Sequence, residues 1–474
     1  MITLIPVGFY GITFMSNTII GEKVLNDTHL KQQLQILRQA DNWTNLYYIG
    51  MIYIYLAAVI SSTLMFYYQR ESWGLPFWLN IPVSVLAIIL IGAGQHQLTG
   101  LGHEGSHHSL FKTKKWNEFA SDVFCMFPVY SSTHFYRLQH MAHHQFVNDP
   151  ERDPDVSQLL SSGHWLGFPA SPKKFYTFLL KQLWIPNLFK FMIIRAAYNS
   201  TGTDSNPYVK KSTTKNKIAI RISIAYVFSM IPVLAVLTWF GNPMVVALSA
   251  LAIFLVFSTI LLLIPKDCYQ QAKIHPVFSA NISTVMRLGY VTVVFTTLAV
   301  LHITVDPWAP VYYLILWLVP IFSSFSFFMI LRQVVQHGNG DRGWITNTRV
   351  FFVNQFINFC VFPIGQDYHL PHHLYSTVPH YRLKKLHEIL MEYPEYQTDA
   401  VNVHGYFRSP ENPQLHPTVV DVLGDNYASK NFRGVHIDNT VLDDNEVEDK
   451  EGIINTGERE KQKAEQFARE KSVL

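Results

Sequence analysis

The sequence predicts an all-α integral membrane protein: about six transmembrane helices under a cytoplasmic, histidine-rich cap built to hold metal. Three observations predict it. Six apolar runs approach membrane length, three histidine clusters stand in the polar stretches between and after them, and basic residues gather on alternate loops. Composition agrees, with 49% hydrophobic and only 15% charged residues among 474. A net charge of +3 gives no reason to expect a nucleic-acid partner. Cys125, Cys268 and Cys360 are isolated, which argues against a disulfide framework or an iron–sulfur cluster.

Taken in order, residues 1–44 read as an N-terminal cytoplasmic or interfacial segment. Its apolar run 2–15 lacks a basic start and is broken by Pro6, Gly8 and Gly11, so an interfacial or mis-started N-terminus fits better than a signal peptide. A bilayer core needs about 20 apolar residues per helix. Runs 46–68 and 75–94 supply the first two, a hairpin within residues 45–98. A polar region, 99–217, follows and carries two histidine clusters. Its apolar piece 175–194 contains Lys181 and Lys190 and reads as one amphipathic surface helix. Runs 218–240, 243–264, 288–305 and 308–331 complete the six, with the fifth weakened by its length and by His302. Region 332–425 holds the last cluster, and 426–474 is an acidic-then-mixed tail expected to be disordered or a solvated helix.

An even number of crossings separates the clusters, so all three should face one side. Lys112, Lys114, Lys115, Arg137, Lys173, Lys174, Lys210, Lys211, Lys266 and Lys273 lie on that side, against little beyond Arg70 opposite. The positive-inside tendency makes it cytoplasmic.

The clusters are HEGSHH (His103, His107, His108), HMAHH (His140, His143, His144) and HLPHH (His369, His372, His373). On a helix, positions i, i+3 and i+4 share a face, so each box is expected to present two or three imidazoles to one point. Pro371 suits the first turn of a helix. Mononuclear zinc takes three or four protein ligands, so this many imidazoles implies two metal ions. His337, just past the last span, is a further candidate, whereas His96 reads as structural. Asp149, Asp153 and Asp155 in NDPERDPD are candidates to accept the outward N–H of a ligating imidazole.

The first box also reads H-E-x-x-H through Glu104, the signature of a zinc protease, but that reading strands the second and third boxes without a purpose. A non-catalytic membrane protein that stores or senses metal is the other rival.

The stretches HEGSHHSLFKTKKWNE, YRLQHMAHHQFVNDPERDPD and GQDYHLPHHLYSTVPHYRL resemble the membrane-bound fatty acid desaturase superfamily, which includes hydroxylases, carotenoid ketolases and alkane monooxygenases. The resemblance covers roughly residues 45–395 in order and topology. It implies a non-haem di-iron centre held by His103, His107, His140, His143, His144, His337, His369, His372 and His373, with no separate protein base and the role of His108 open. It also implies O2-dependent insertion of a double bond into a fatty acyl or lipid chain lying in an apolar channel below the metals; the alternative is hydroxylation or ketolation of a carotenoid or alkyl chain. No cytochrome b5 segment, Rieske pair or flavin fingerprint occurs, so electrons should come from a separate ferredoxin or cytochrome b5, which Lys112, Lys114, Lys115 and Arg137 could attract if acidic. Where acyl-CoA desaturases resembling this fold carry an Asn that acts through water, this chain has Gln333, which weakens the case for an acyl-CoA substrate.

Overall fold

The computed structural model describes residues 28–203 and 206–427. The run 2–15 and nearly all of the charged tail lie outside the described residues.

Among the described residues, six helices are long and apolar enough to cross a membrane: Thr44–Gln69, Phe77–Ser106, Ile218–Thr238, Pro243–Leu263, Ala280–Thr304 and Ala309–Gln336. Their centres match the apolar runs, but three boundaries do not. The second continues through the polar residues from Gln95 onward, the fifth starts at Ala280, and the sixth runs on to Gln336. Hydropathy marks where side chains leave lipid, whereas the helix stops only where its backbone finds another partner. At about 1.5 Å per residue the second and sixth helices are about 45 and 42 Å long, against a hydrocarbon core of about 30 Å. They therefore carry the chain from the bilayer into the cap without a break.

The first, second and sixth helices pack together through Leu56, Ile91, Leu98, Leu101 and Leu316. Gly92 is needed for that contact, because a Cβ there would come within 2.7 Å of the Phe325 backbone nitrogen. The sixth helix has two π-helical stretches, Leu314–Leu318 and Ile321–Phe325, flanking Pro320, whose missing N–H removes an α-helical hydrogen bond. The third, fourth and fifth helices form a second bundle around Tyr226, Met230, Leu261, Leu288 and Val291. Asn242 starts the fourth by accepting from the backbone N–H groups of Met244 (3.0 Å) and Val245 (3.3 Å).

The expected single surface helix over 175–194 is two, Pro172–Gln182 and Ile185–Thr201. Pro186 cannot donate inside a helix, so it begins a new one. Leu180, Leu183, Trp184 and Ile185 at the junction are exposed, while Phe175, Phe178, Leu188 and Phe191 are buried. In the cap, the helix Thr28–Leu37 buries Leu30, Leu34 and Leu37 against Leu374, Leu383 and Leu386. Two short strands, β1 (Arg349–Phe352) and β2 (Val401–His404), pair in parallel, a feature the all-helical expectation did not contain.

Candidate metal centre

Four segments bring the histidines together. The second membrane-length helix presents His103 in its last turn and ends with His107 as its C-terminal cap. The helix Thr133–Gln145 carries the second box, and its N-terminal end is fixed by Asp122, which accepts from the Thr133 N–H at 2.7 Å. His337 caps the sixth helix. The short helix His369–Leu374 carries the third box with Pro371 in its first turn.

The imidazoles fall into two groups, His103/His107/His140/His144/His372 and His143/His337/His369/His373. The boxes are not each aimed at one point, as helical spacing suggested; they are shared. In the second box His140 and His144 serve the first group and His143 the second. In the third box His369 and His373 serve the second group and His372 the first. Residues i and i+4 stay on one face, and the intervening member points away from them to the neighbouring position. His108 belongs to neither group and sits at φ 57° beyond the helix end. His96 donates through Nδ1–H to the Cys360 carbonyl at 2.9 Å, also outside both.

Within each group the Nε2 atoms converge. His144 Nε2 lies 2.9 Å from His140 Nε2 and 3.1 Å from His372 Nε2. His337 Nε2 lies 3.2 Å from His143 Nε2 and 2.8 Å from His369 Nε2, which is itself 3.1 Å from His373 Nε2. One proton can bridge one such pair, but several lone pairs meeting at a point need a shared cation. A metal about 2.1 Å from each nitrogen with near right angles sets the donors about 3 Å apart, so the residues fit two ions. His107 Nε2, buried and without a hydrogen-bond partner, is a donor atom left over for the first.

Burial, and then repulsion from neighbouring imidazoles, holds His107, His140, His144, His369, His372 and His373 well below the ordinary histidine range, in the neutral ligand form. His143 differs: burial pulls its pKa down, but Asp153 and Asp155 outweigh it and lift it to about 9. Asp153 Oδ1 sits 2.9 Å from His143 Nδ1, and the Asn347 carbonyl sits 3.1 Å from His337 Nδ1. Both contacts leave Nε2 as the ring's free lone pair. Asp149 instead pairs with Arg152 (2.7 Å) and Arg342 (2.8 Å).

Glu104 does not take a protease base's position. Its Oε2 accepts from the His380 backbone N–H (2.9 Å) and the Ser109 hydroxyl (3.0 Å), and Oε1 lies 3.5 Å from His103 Nδ1, behind the ring. Arg137 also departs from expectation. It is 2% exposed, paired with Glu118 (2.6 Å), and donates to the carbonyls of Ser106 (2.8 Å) and Gly105 (3.0 Å), so it fastens the second box to the end of the first and is not available to a carrier protein. Lys112, Lys114 and Lys115 are exposed. Gln333 is buried beside His143 and His337 at a cavity of about 20 Å³, room for about one water. Tyr136 stacks on His140 with ring centroids 5.4 Å apart. Beneath it a largely apolar cavity of about 880 Å³ extends between the two bundles, lined by Met192, Tyr226, Leu288, Val291, Phe325 and Met329 among others.

The family model described as fatty acid desaturase matches residues 76–288 and 257–404, a stretch that includes all nine grouped histidines. Dihydrorhizobitoxine desaturase of Bradyrhizobium elkanii is 24% identical over 415 residues, covering 85% of this chain and 90% of that protein. Fatty acid desaturase 3 of Bos taurus is 28% identical over 158 residues, 30% of this chain and 34% of that one. Delta(5) fatty acid desaturase fat-4 of Caenorhabditis elegans is 32% identical over 111 residues, covering 23% and 22%. With its six membrane-length helices and grouped imidazoles, the chain belongs to the fatty acid desaturase family and is a membrane oxidoreductase.

Proposed function

We propose that the protein is an O2-dependent desaturase that introduces a double bond into an acyl or lipid chain at a di-iron centre. The observation that carries this is the division of nine imidazoles into converging groups of five and four. When bound, two irons would supply the oxidising power to take hydrogen from an unactivated methylene, using O2 and two electrons. One –CH2–CH2– unit, O2, two electrons and two protons then give one –CH=CH– and two waters. His103, His107, His140, His144 and His372 would hold one iron and His143, His337, His369 and His373 the other.

The remaining work belongs to the chain. Asp153 and the Asn347 carbonyl orient two of the rings. Tyr136 separates the imidazoles from the apolar cavity, which excludes water and holds the chain to be oxidised. Gln333 stands where a single water could bridge it to the second group. The cap faces the cytoplasm, in keeping with its basic loops. Electrons arrive from a separate ferredoxin or cytochrome b5, with Lys112, Lys114 and Lys115 as the docking charges for an acidic carrier.

Quantifying metal in the purified protein should find about two irons per chain. Expression in a host lacking the activity should add a double bond and no oxygen to a lipid or acid, read by mass spectrometry. His143→Ala should abolish turnover and lower iron while the protein still inserts. One zinc in place of iron, or a product heavier by an oxygen, would overturn the reading.

A further inference from the structure

Where it comes nearest along the chain to the grouped histidines, the large cavity is lined by Thr99, Tyr136 and Arg332. Thr99 and Tyr136 each lie one helical turn before a grouped histidine of their own helix, His103 and His140. Arg332 lies five residues before His337. At about 1.5 Å per residue, this part of the cavity is about 6–8 Å from the imidazoles along the helix axes.

An apolar cavity lined by an arginine is an expensive arrangement. Arg332 is 8% exposed, its Nε has no hydrogen-bond partner, and its guanidinium meets the Tyr136 hydroxyl. Among the described residues it forms no ion pair with a carboxylate. Arg195, also lining the cavity, stands 5.9 Å from the Tyr136 ring and bonds the neutral Gln158 amide oxygen at 3.0 Å. Asp155 is the acid whose charge reaches Arg332, and it also acts on His143. Arg332 therefore shares its acid with His143, and the printed hydrogen bond of Arg195 goes to a neutral amide. Arg287, a third arginine on the wall, is accounted for by the Tyr130 carbonyl and by Asp122. A cation left buried without an adequate counter-charge is strongly disfavoured. A chain entering tail first would lay hydrocarbon against it and leave that cost standing.

We propose that Arg332, supported by Arg195 and the Tyr136 hydroxyl, binds the carboxylate of a free acid that enters head first. The planar guanidinium matches a carboxylate with two parallel hydrogen bonds, and the acid supplies the missing counter-charge. The C–H bonds offered to the metals then lie a few bonds from the acid group, and the tail runs back along the apolar wall toward Lys266 and His275. Esters and thioesters lack the charge and are excluded. This rests on the desaturase reading for the reaction, but its test needs neither O2 nor electrons.

Binding of octanoate, 1-octanol and octyl phosphate to the iron-loaded protein in nanodiscs decides it. Octanoate is expected to bind R332Q about 10–100-fold more weakly than wild type, with octanol unchanged. R332K keeps the charge without the planar fork, and is expected to weaken octanoate a few-fold while retaining iron. Equal octanoate affinity in wild type and both variants would overturn the proposal. So would octyl phosphate binding as tightly as octanoate and depending equally on Arg332, which would mark a phosphate headgroup site. Arg332-dependent octanoate binding without alkene formation would defeat the reaction while leaving the anchor in place.

Discussion

The two histidine groups are built from the same kinds of ligand yet are braced differently. The five-membered group is held by a frame: buried Arg137 ties two of its three helices together through the carbonyls of Gly105 and Ser106, with Glu118 as its counter-charge. In the four-membered group two rings are held individually, with Asp153 behind His143 and the Asn347 carbonyl behind His337. A braced frame fixes where imidazoles stand. A partner on the far nitrogen fixes their tautomer and raises their basicity as well. The second group is thus the more strongly donating and the more dependent on charge.

The largest expected effect strikes the frame. Arg137→Met leaves Glu118 buried and unpaired and should destabilise the protein by about 3–5 kcal/mol, with iron lost first from the five-histidine group. Thermal unfolding and iron stoichiometry report both, and adding Glu118→Gln should recover part of the loss. If Arg137→Met unfolds no earlier than wild type, the frame is not what braces this group.

How much of this was legible in the sequence follows the same division. The spacing of the boxes and the apolar runs announced both the histidines and the six helices, because each is a local pattern. Which imidazole joins which partner was not legible: it depends on how two helices are turned toward each other, and the boxes proved to be shared. Arg137 looked like a surface cation because sequence counts charges without seeing Glu118 opposite. Arg332 escaped notice because the sixth apolar run was closed at residue 331. An arginine in the continuation of a membrane helix is a functional signal once that helix is known to continue. The β1–β2 pairing joins segments about fifty residues apart through strands too short to show a period.

Asp153→Asn should act on the second group alone. It keeps the shape and removes the charge behind His143, and should weaken iron binding there by about 10–100-fold, read by chelator competition as one iron leaving early. Two irons leaving together would erase the distinction between the groups.

The smallest effect concerns the loop that carries Asp153. Burial raises the Asp149 pKa, but Arg152 and Arg342 outweigh it and hold the carboxyl below its ordinary value. Its contribution is therefore complete above the ordinary carboxylate range and is lost as pH falls through the lowered value. Asp149→Asn should cost about 1.5 kcal/mol near neutral pH, and the gap from wild type should close on acidification, as followed by unfolding across pH. A gap that persists in acid would assign the loss to packing.

The unbroken passage of the second and sixth helices from lipid into the cap has a mechanical consequence. His103 and His337 sit at the upper ends of two long helices whose tilt follows from their packing on one another and from their fit to the bilayer. A thicker or thinner membrane changes that tilt, and a few degrees over about 40 Å displaces the upper ends by an ångström or more. The spacing between the two histidine groups should therefore shift with membrane thickness, an expectation that turnover in bilayers of short- and long-chain lipid would check.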